Sequence, residues 1–274
     1  MKTDELKKLA NLRRLDVLDM VYASKAGHIG GSFSSMDILV SLYYRLMDVS
    51  LILAGDPGRD RFVLSKGHCA EALYAVLADT GFIPKEELKT FTRFGTRLAE
   101  HPTKSIPGIE IATGALGHGL SAAVGMALAL KMDNCPAHVY CLMGDGEQAE
   151  GSVWEAAMAA AKYGLDNLTA IVDRNRLQIS GCTEDVMPCG DLTDKYHAFG
   201  WNTVVCDGHS FDALLPALQT RSAGKPTVVI AETVKGRGSQ VMENIAEWHH
   251  QIPTAEEYEI IKADLLKKVQ EVGA

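Results

Sequence analysis

The feature that most constrains this chain is a pair of apolar runs, each of which ends in an oxygen-bearing side chain. Residues 139–143 run into Gly144-Asp145-Gly146, and residues 168–172 run into Asp173-Arg174-Asn175. Continuous apolar runs of this length are typical of buried strands in a parallel sheet. A helical segment separates them, so they form a βαβ unit whose strands end at the same edge. We therefore expect Asp145 and Asn175 to lie together where open α/β sheets bind ligands.

The residue types at this edge predict a metal and diphosphate site. Asp145 offers a carboxylate oxygen, Asn175 a carboxamide oxygen, and the backbone near Leu177 a carbonyl oxygen. Mg²⁺ takes oxygen ligands and keeps coordination positions for phosphate oxygens. Gly144 and Gly146 would let the backbone approach a diphosphate without a Cβ clash. A lone Gly-Asp-Gly also fits a surface turn, but the asparagine at this spacing favours the site.

The rest of the chain alternates predicted helices with predicted strands. Helices are expected over 3–25, from about Ser35 to Met47, from His68 to Gly81, over 117–131, from a Ser152-x-x-Glu155 capping box to Gly164, near 211–220 and over 254–271. Further strands are expected at 61–64, 203–206 and 227–232. Gly27, Gly30 and Gly31 are expected to separate the first two helices, and 91–113 is expected to be loop-rich. This alternation predicts a three-layer α/β/α fold with a mostly parallel central sheet. No linker divides the chain, so we expect a single domain over residues 1–274.

Composition excludes several classes of partner. The 274 residues carry a formal charge of −8 with no basic run, which argues against nucleic acid and anionic membrane. No apolar run reaches the roughly 18 residues that a membrane helix needs. The polar, acidic start does not resemble a signal peptide, and the six cysteines form no C-x-x-C pair. We therefore expect a cytoplasmic protein with buried, reduced thiols.

Histidines and one lysine lie in loops or at helix starts. The histidines are His28, His68, His101, His118 and His249, most of them beside a glycine. A lone histidine there is more commonly a solvated or capping residue, but the repeated placement favours binding, because binding groups concentrate on loops held by a scaffold. The absence of H-x-x-x-H and H-E-x-x-H spacing predicts no zinc site.

The turn Lys235-Gly236-Arg237-Gly238 follows a predicted strand. It is either a plain basic turn or a means of placing Lys235 near a phosphate. The chain has no Walker motif and no strand-linked G-x-G-x-x-G, so neither a P-loop nor a nicotinamide dinucleotide site is supported.

Together these motifs resemble the transketolase family of thiamine diphosphate enzymes. The matching segments, in the family's order, are Gly27-His28, Leu64-Ser65-x-Gly67-His68, His101-Pro102, Gly114-x-Leu116-Gly117-x-Gly119, Gly144-Asp145-Gly146 with Asn175, and Lys235-Gly236-x-Gly238 with Trp248-His249. The resemblance spans almost the whole chain. It implies a thiamine diphosphate cofactor, Mg²⁺ (or Ca²⁺ or Mn²⁺ in its place), and transfer of a two-carbon ketol unit from a ketose phosphate to an aldose phosphate.

The resemblance also implies roles for individual residues. Metal ligands would be Asp145, Asn175 and the Leu177 carbonyl. Cofactor contacts would come from His68, Gly114, Ala115, Leu116, Gly146, Glu147, Asn175, Lys235 and His249. The catalytic set would be His28, His101, His249 and Glu150, the last in a carboxylate network across a subunit interface.

Two departures from the family pattern stand out. His118 takes the place of the family's usual glutamine, which would alter hydrogen bonding near the cofactor. Family enzymes also usually carry a second α/β domain, with the glutamate that ionises the cofactor's aminopyrimidine, and nothing here matches it. We therefore expect the N-terminal subunit of a split transketolase that is active only with a C-terminal subunit bearing the pyrimidine-binding domain, most simply as α2β2. The alternatives are a subunit of another thiamine diphosphate enzyme, such as a deoxyxylulose-phosphate synthase, and a non-catalytic binding module.

Overall fold

The computed structural model describes residues 1–272 and is built around one parallel sheet. Its strands are β1 (Arg61–Leu64), β2 (Val139–Gly144), β3 (Leu168–Arg174), β4 (Leu177–Gln178), β5 (Gly181–Cys182), β6 (Asn202–Asp207) and β7 (Thr227–Glu232). The main sheet has the order β1-β2-β3-β7-β6 with every neighbouring pair parallel, while β4 and β5 form a small antiparallel hairpin. The predicted strands are thus confirmed, and all carboxyl ends of the main sheet lie at one edge.

Helices cover both faces of this sheet. They are α1 (Thr3–Ser24), α2 (Ile29–Ser41), α3 (Val49–Leu53), α4 (Ala70–Asp79), α5 (His118–Met132), α6 (Gly151–Lys162), α7 (Thr183–Val186), α8 (Leu192–Ala198), α9 (Phe211–Gln219) and α10 (Ala255–Glu271), with short 3₁₀ or π-helical segments at 42–46, 67–69, 85–90, 146–149 and 246–249. Because side chains alternate along a strand, Leu64 and Leu142 pack into the core under α1, α2, α4 and α9, whereas Val63, Cys141 and Met143 pack under α5, α6 and α8. This is the expected three-layer α/β/α architecture.

The start of the second helix differs from the sequence prediction. α2 begins at Ile29 instead of near Ser35, so Gly30 and Gly31 lie inside this helix and do not interrupt it. A Cβ at Gly30 would lie 2.5 Å from the backbone oxygen of Trp248, and one at Gly31 would lie 2.8 Å from the sulfur of Cys69. These glycines therefore permit close packing at the helix start.

The predicted capping box of α6 is also wrong. The helix begins at Gly151 with Glu150 as its N-cap, which makes no side-chain capping bond, so Ser152 and Glu155 are already inside the helix. A short turn at 146–149 precedes the helix, and the extended backbone of Glu150 separates the two, so the helix begins directly after Glu150 and one residue before Ser152. The predicted end is correct, since Gly164 follows the last turn with a positive φ of 57°.

The cysteines and the helix lengths bear on the remaining expectations. All six cysteines are free; Cys69, Cys141 and Cys189 are buried as expected, while Cys135, Cys182 and Cys206 are only partly buried. Within residues 1–272, no helix combines the length and the apolar character that crossing a membrane requires.

Candidate functional site

Four strands deliver the candidate site residues to one edge of the sheet. Gly144 at the end of β2 pairs with Asp173 of β3, so Asp145 and Asn175 emerge side by side. β1 ends at Leu64 and leads to Lys66 and His68, and β7 leads to Lys235. The predicted meeting of Asp145 with Asn175 is therefore a property of the fold.

Asp145 is nearly buried and is held by backbone groups. Its Oδ1 accepts a hydrogen bond from the Gly146 amide at 2.8 Å, and its Oδ2 accepts one from the Arg176 amide at 2.5 Å. Burial, with the nearby carboxylate of Asp173, raises the pKa of Asp145. A cation would relieve this unfavourable ionisation, because an opposite charge nearby favours the carboxylate.

The loop after β3 brings two more oxygens beside Asp145. The Asn175 side chain donates to Ser34 Oγ at 3.3 Å, and its Oδ1 accepts from the Leu177 amide at 3.1 Å. The Leu177 carbonyl accepts from Lys235 Nζ at 2.9 Å and, like any carbonyl, has a second lone pair. A carboxylate, a carboxamide and a carbonyl thus come from one loop and one strand end, as a magnesium site requires.

A buried ion pair beneath this loop was not predicted. Lys66 and Asp173 are both buried and bond to each other directly. Asp173 also accepts from Ser34 Oγ at 2.7 Å and from the Thr233 hydroxyl. Although burial opposes ionisation, Lys66 holds the pKa of Asp173 below its usual range. Both residues lie inside segments that the sequence singled out, but a lysine and an aspartate 107 residues apart carry no signal that they pair.

Glu147 is directed into the protein. Its Oε1 accepts from the Ser65 hydroxyl and from the Gly117 amide at 2.8 Å, and its Oε2 accepts from the Gly144 amide at 3.0 Å. Burial raises its pKa. The carboxylate therefore ties the ends of β1 and β2 to the start of α5, and Glu147 also lines the crevice.

Histidines from separate segments converge in the same crevice as Asp145 and Asn175. The ring centroid of His28 lies 5.2 Å from that of His68, 5.5 Å from that of His249 and 6.2 Å from that of His101. The rings of His68 and His249 stack at 5.2 Å. His250, which the sequence analysis did not single out, lies 4.6 Å from His28.

The inner histidines are neutral at physiological pH. Burial, with the charge of His250, lowers the pKa of His28 to about 4, and burial, with the charge of Lys235, lowers the pKa of His249 to about 3. Burial and Lys66 hold the pKa of His68 well below its usual value. Lys235 Nζ lies 2.9 Å from Nδ1 of His249, and burial lowers the pKa of this ammonium to about 8.

These groups enclose a crevice with a volume of about 420 Å³. Its lining includes His28, His68, Gly114, Leu116, Asp145, Gly146, Glu147, Glu150, Asn175, Leu177, Lys235 and His249 from the predicted set. His101 lies at the rim, where a Cβ on Gly114 would come 2.8 Å from its ring. Ala115 is exposed beside the crevice, and so is His118, whose Nδ1 lies 3.1 Å from the Leu116 carbonyl.

The site fits a diphosphate with a divalent cation. The crevice has the size of a small-molecule site. Its base combines the three oxygens with a lysine, and a Cβ at Gly146 would lie 3.2 Å from Gln178, so the glycine keeps this wall open. Positive groups beside a cation site suit an anionic ligand that shares the cation.

Comparisons with known proteins agree with this geometry. The chain is 47% identical over 274 residues to an apulose-4-phosphate transketolase subunit of Phocaeicola vulgatus, covering 99% of this chain and 97% of that protein. It is 43% identical to a 6-deoxy-6-sulfo-D-fructose transketolase subunit of a Clostridium species, covering 96% of this chain and 97% of that subunit.

Among solved structures, transketolase from Leishmania mexicana matches with a TM-score of 0.85 and 28% identity, and covers 97% of this chain. The chain spans only 44% of that transketolase. A sequence model described as "Transketolase, thiamine diphosphate binding domain" matches residues 5–267. The chain therefore belongs to the family of transketolase thiamine diphosphate-binding domains.

Proposed function

We propose that this chain is the diphosphate-binding subunit of a two-chain transketolase, which moves a two-carbon ketol unit from a ketose to an aldose. The observation that carries this proposal is the convergence of Asp145, Asn175 and the Leu177 carbonyl under a group of neutral histidines in one crevice. The two relatives covered over nearly their whole length bear the names of transketolase subunits, which supports the two-chain form.

Mg²⁺, or Ca²⁺ or Mn²⁺ in its place, would bind to Asp145, Asn175 and Leu177, with the remaining positions left for diphosphate oxygens. When bound, thiamine diphosphate would supply a thiazolium ring able to stabilise negative charge on the former carbonyl carbon of the ketose. The chain's own task is to anchor the diphosphate and orient the ring. Lys235 and His68 line the base of the crevice and suit the anchoring role.

His28, His101 and His249 are the groups assigned to the sugar. With pKa values of about 4 and 3, His28 and His249 are unprotonated near pH 7, so each can accept a proton from, or a hydrogen bond of, a sugar hydroxyl. The ring centroid of His28 lies 5.5 Å from that of His249 and 6.2 Å from that of His101, which leaves room for hydroxyls along one side of a bound sugar. His101 stands at the rim, where it meets the substrate end of the crevice.

The uncovered side of the crevice favours a partner chain. Ile179 and Met187 line it and expose 67% and 56% of their surface. Apolar residues at the mouth of a polar crevice are typical of a surface that a second chain covers. We assign that place to a C-terminal transketolase subunit carrying the pyrimidine-binding domain, with Glu150 at the interface, two copies of each chain in an α2β2 assembly, and a cytoplasmic location.

The metal site is tested by Asp145→Ala. The expected result is loss of most magnesium-dependent thiamine diphosphate affinity, measured by calorimetry in the presence of the partner, with the circular dichroism spectrum unchanged. Asp207→Ala is the matched control, because Asp207 ends the edge strand β6 and is exposed outside the crevice. Equal affinities for Asp145→Ala and wild type would refute the metal assignment.

The two-chain reaction is tested by mixing. The purified chain is expected to show no ketol transfer, and activity is expected to appear when a C-terminal transketolase subunit that carries the pyrimidine-binding domain is added, with light scattering reporting α2β2. Full activity of the chain alone would contradict the two-chain reaction. A fully active complex with one copy of each chain would contradict the α2β2 assembly. Pyruvate decarboxylation without ketol transfer would favour the synthase-type alternative, and no thiamine diphosphate affinity with the partner present would favour a binding module.

A further inference from the structure

A cluster of three metal-ligating side chains lies at the mouth of the crevice, apart from the magnesium oxygens. Glu100 Oε2 lies 3.7 Å from Nδ1 of His28 and 3.6 Å from Nε2 of His250. The three ligand atoms lie within 4.8 Å of one another. They come from the N-cap of α2, the 91–113 loop and the segment after the 246–249 turn, so no sequence spacing could show the cluster.

We propose that His28, Glu100 and His250 form a binding site for a transition-metal divalent cation, zinc in particular. Two imidazole nitrogens and one carboxylate are a common zinc ligand set that leaves the fourth position open. Zinc bonds of about 2.0–2.2 Å in a tetrahedral arrangement place ligand atoms about 3.4 Å apart. The two observed separations of 3.6 and 3.7 Å need only small side-chain movements to reach that value.

The ligand atom of His28 is prepared for such a cation. Its Nδ1 is buried and has no hydrogen-bond partner in the described part of the chain. The His28 backbone amide donates to Glu71 Oε1 at 2.6 Å, and the rings of His68 and His249, which stack on each other, have centroids 5.2 and 5.5 Å from that of His28. A fixed ring with a free nitrogen loses little freedom when it binds a metal.

This site is chemically different from the magnesium site. Mg²⁺ prefers oxygen ligands, whereas imidazole nitrogens select zinc and its neighbours. The two sites can therefore be distinguished by metal type. The absence of H-x-x-x-H and H-E-x-x-H spacing predicted no zinc site, whereas the fold brings these three ligands together from distant segments.

Bound zinc would oppose the reaction. It would occupy His28 and cross-link the rim of the crevice through Glu100 and His250, which would close the substrate end and leave the base with Asp145 free. This consequence rests on the proposed function. It predicts zinc inhibition that is competitive with the ketose and not with thiamine diphosphate.

Binding is tested on the full chain without thiamine diphosphate. Zn²⁺ affinity is measured by competition with a chromophoric chelator, and Co²⁺ is added to read the coordination from its visible absorption. One zinc per chain and an intense tetrahedral Co²⁺ spectrum are expected. Glu100→Gln and His250→Gln are each expected to weaken Zn²⁺ binding about tenfold or more, because one of three protein ligands is lost.

His118→Gln and His197→Gln are the matched controls, since both histidines are exposed and outside the cluster. They should bind zinc as wild type does. Equal zinc affinity in all four variants, or loss in the controls alone, would mean adsorption at surface histidines and would overturn the site. Because this assay needs neither cofactor nor activity, it can fail or succeed independently of the transketolase proposal.

The inhibition is then tested with the assembled, active enzyme. Zinc should inhibit ketol transfer reversibly, with relief by a chelator or by excess ketose, and Glu100→Gln should need more zinc than wild type for the same inhibition. Inhibition relieved by magnesium and thiamine diphosphate, and unchanged in Glu100→Gln, would place the zinc at the Asp145 site and overturn the inhibitory role of the cluster.

Discussion

Glu71 is a buried acid beneath the crevice, and its replacement by glutamine gives a sharp test of the electrostatics. Glu71 is fully buried in α4, and its Oε1 accepts the His28 backbone amide at 2.6 Å. Its Oε2 has no partner among residues 1–272. Burial raises the pKa of Glu71 from its ordinary value of 4.5 to about 7. The folded chain therefore keeps this proton over a pH range in which the unfolded chain has lost it.

The sign and size of the effect follow from linkage. Below pH 4.5 both states hold the proton, so Glu71 adds no pH dependence. Between pH 4.5 and about 7 only the unfolded state releases it, so the free energy of unfolding falls as pH rises, and above pH 7 the loss is complete. At about 1.4 kcal/mol per pH unit, the shift corresponds to about 3 kcal/mol. Glu71→Gln removes the titration and keeps an acceptor for the His28 amide.

The assay is urea unfolding of the wild type and the variant from pH 4.5 to pH 8.5. The difference between the two chains isolates Glu71, because His28 and other groups titrate in both. At the acid end, the free energy of unfolding of the variant is expected to be within about 1 kcal/mol of that of wild type. Between the acid and the alkaline end, the variant is expected to become more stable relative to wild type by about 3 kcal/mol. A difference that does not change with pH would refute the buried, protonated carboxyl.

Three other predictions concern packing, charge and substrate. Gly119→Ala should destabilise the chain by about 1–3 kcal/mol, because its Cβ would lie 2.6 Å from Ser65 Cα, whereas Gly125→Ala in the same helix has open space and should be neutral or stabilising in urea unfolding. Lys66→Met should cost about 3–5 kcal/mol by leaving Asp173 unpaired, and adding Asp173→Asn should recover much of it in a double-mutant cycle. His101→Ala should lower kcat by a larger factor than it lowers the thiamine diphosphate affinity measured by calorimetry. Equal loss of both would indicate that His101 contacts the cofactor instead of the substrate.

The strand pattern and the meeting of Asp145 with Asn175 at one sheet edge could be predicted because they depend on local sequence. Apolar runs identify β2 and β3. Because the two strands are parallel neighbours, Asp145 and Asn175, which follow their carboxyl ends, lie at the same edge of the sheet. The sequence placed His28 in a glycine-rich break before a helix expected from about Ser35, whereas His28 is the N-cap of a helix that begins at Ile29. Gly30 and Gly31 suggested a break, and their role became visible only with Trp248 and Cys69 packed against them.

The parts that could not be predicted are long-range contacts between polar groups. Lys66 resembles a solvated lysine in the sequence, and nothing near it indicates that Asp173 buries it. The same is true of Glu100 and His250, which have meaning only beside His28. In each case the sequence gives the residue type, but the partner comes from a distant segment. Because the energy of a buried polar group depends on its partner, the contacts of these groups could not be predicted from local sequence.

The charges of the crevice indicate what it holds. The ammonium groups of Lys66 and Lys235 both contribute to lowering the pKa of His68 and His249, and Lys66 also lowers that of Lys235. Asp173 accounts for the Lys66 charge, but among residues 1–272 Lys235 donates only to a neutral carbonyl and to the ring of His249. A buried ammonium without a carboxylate partner is costly, and a bound anion would remove that cost. The same anion would raise the histidine pKa values towards neutrality, so binding of a diphosphate here would also bring these rings closer to the pKa range suited to proton transfer.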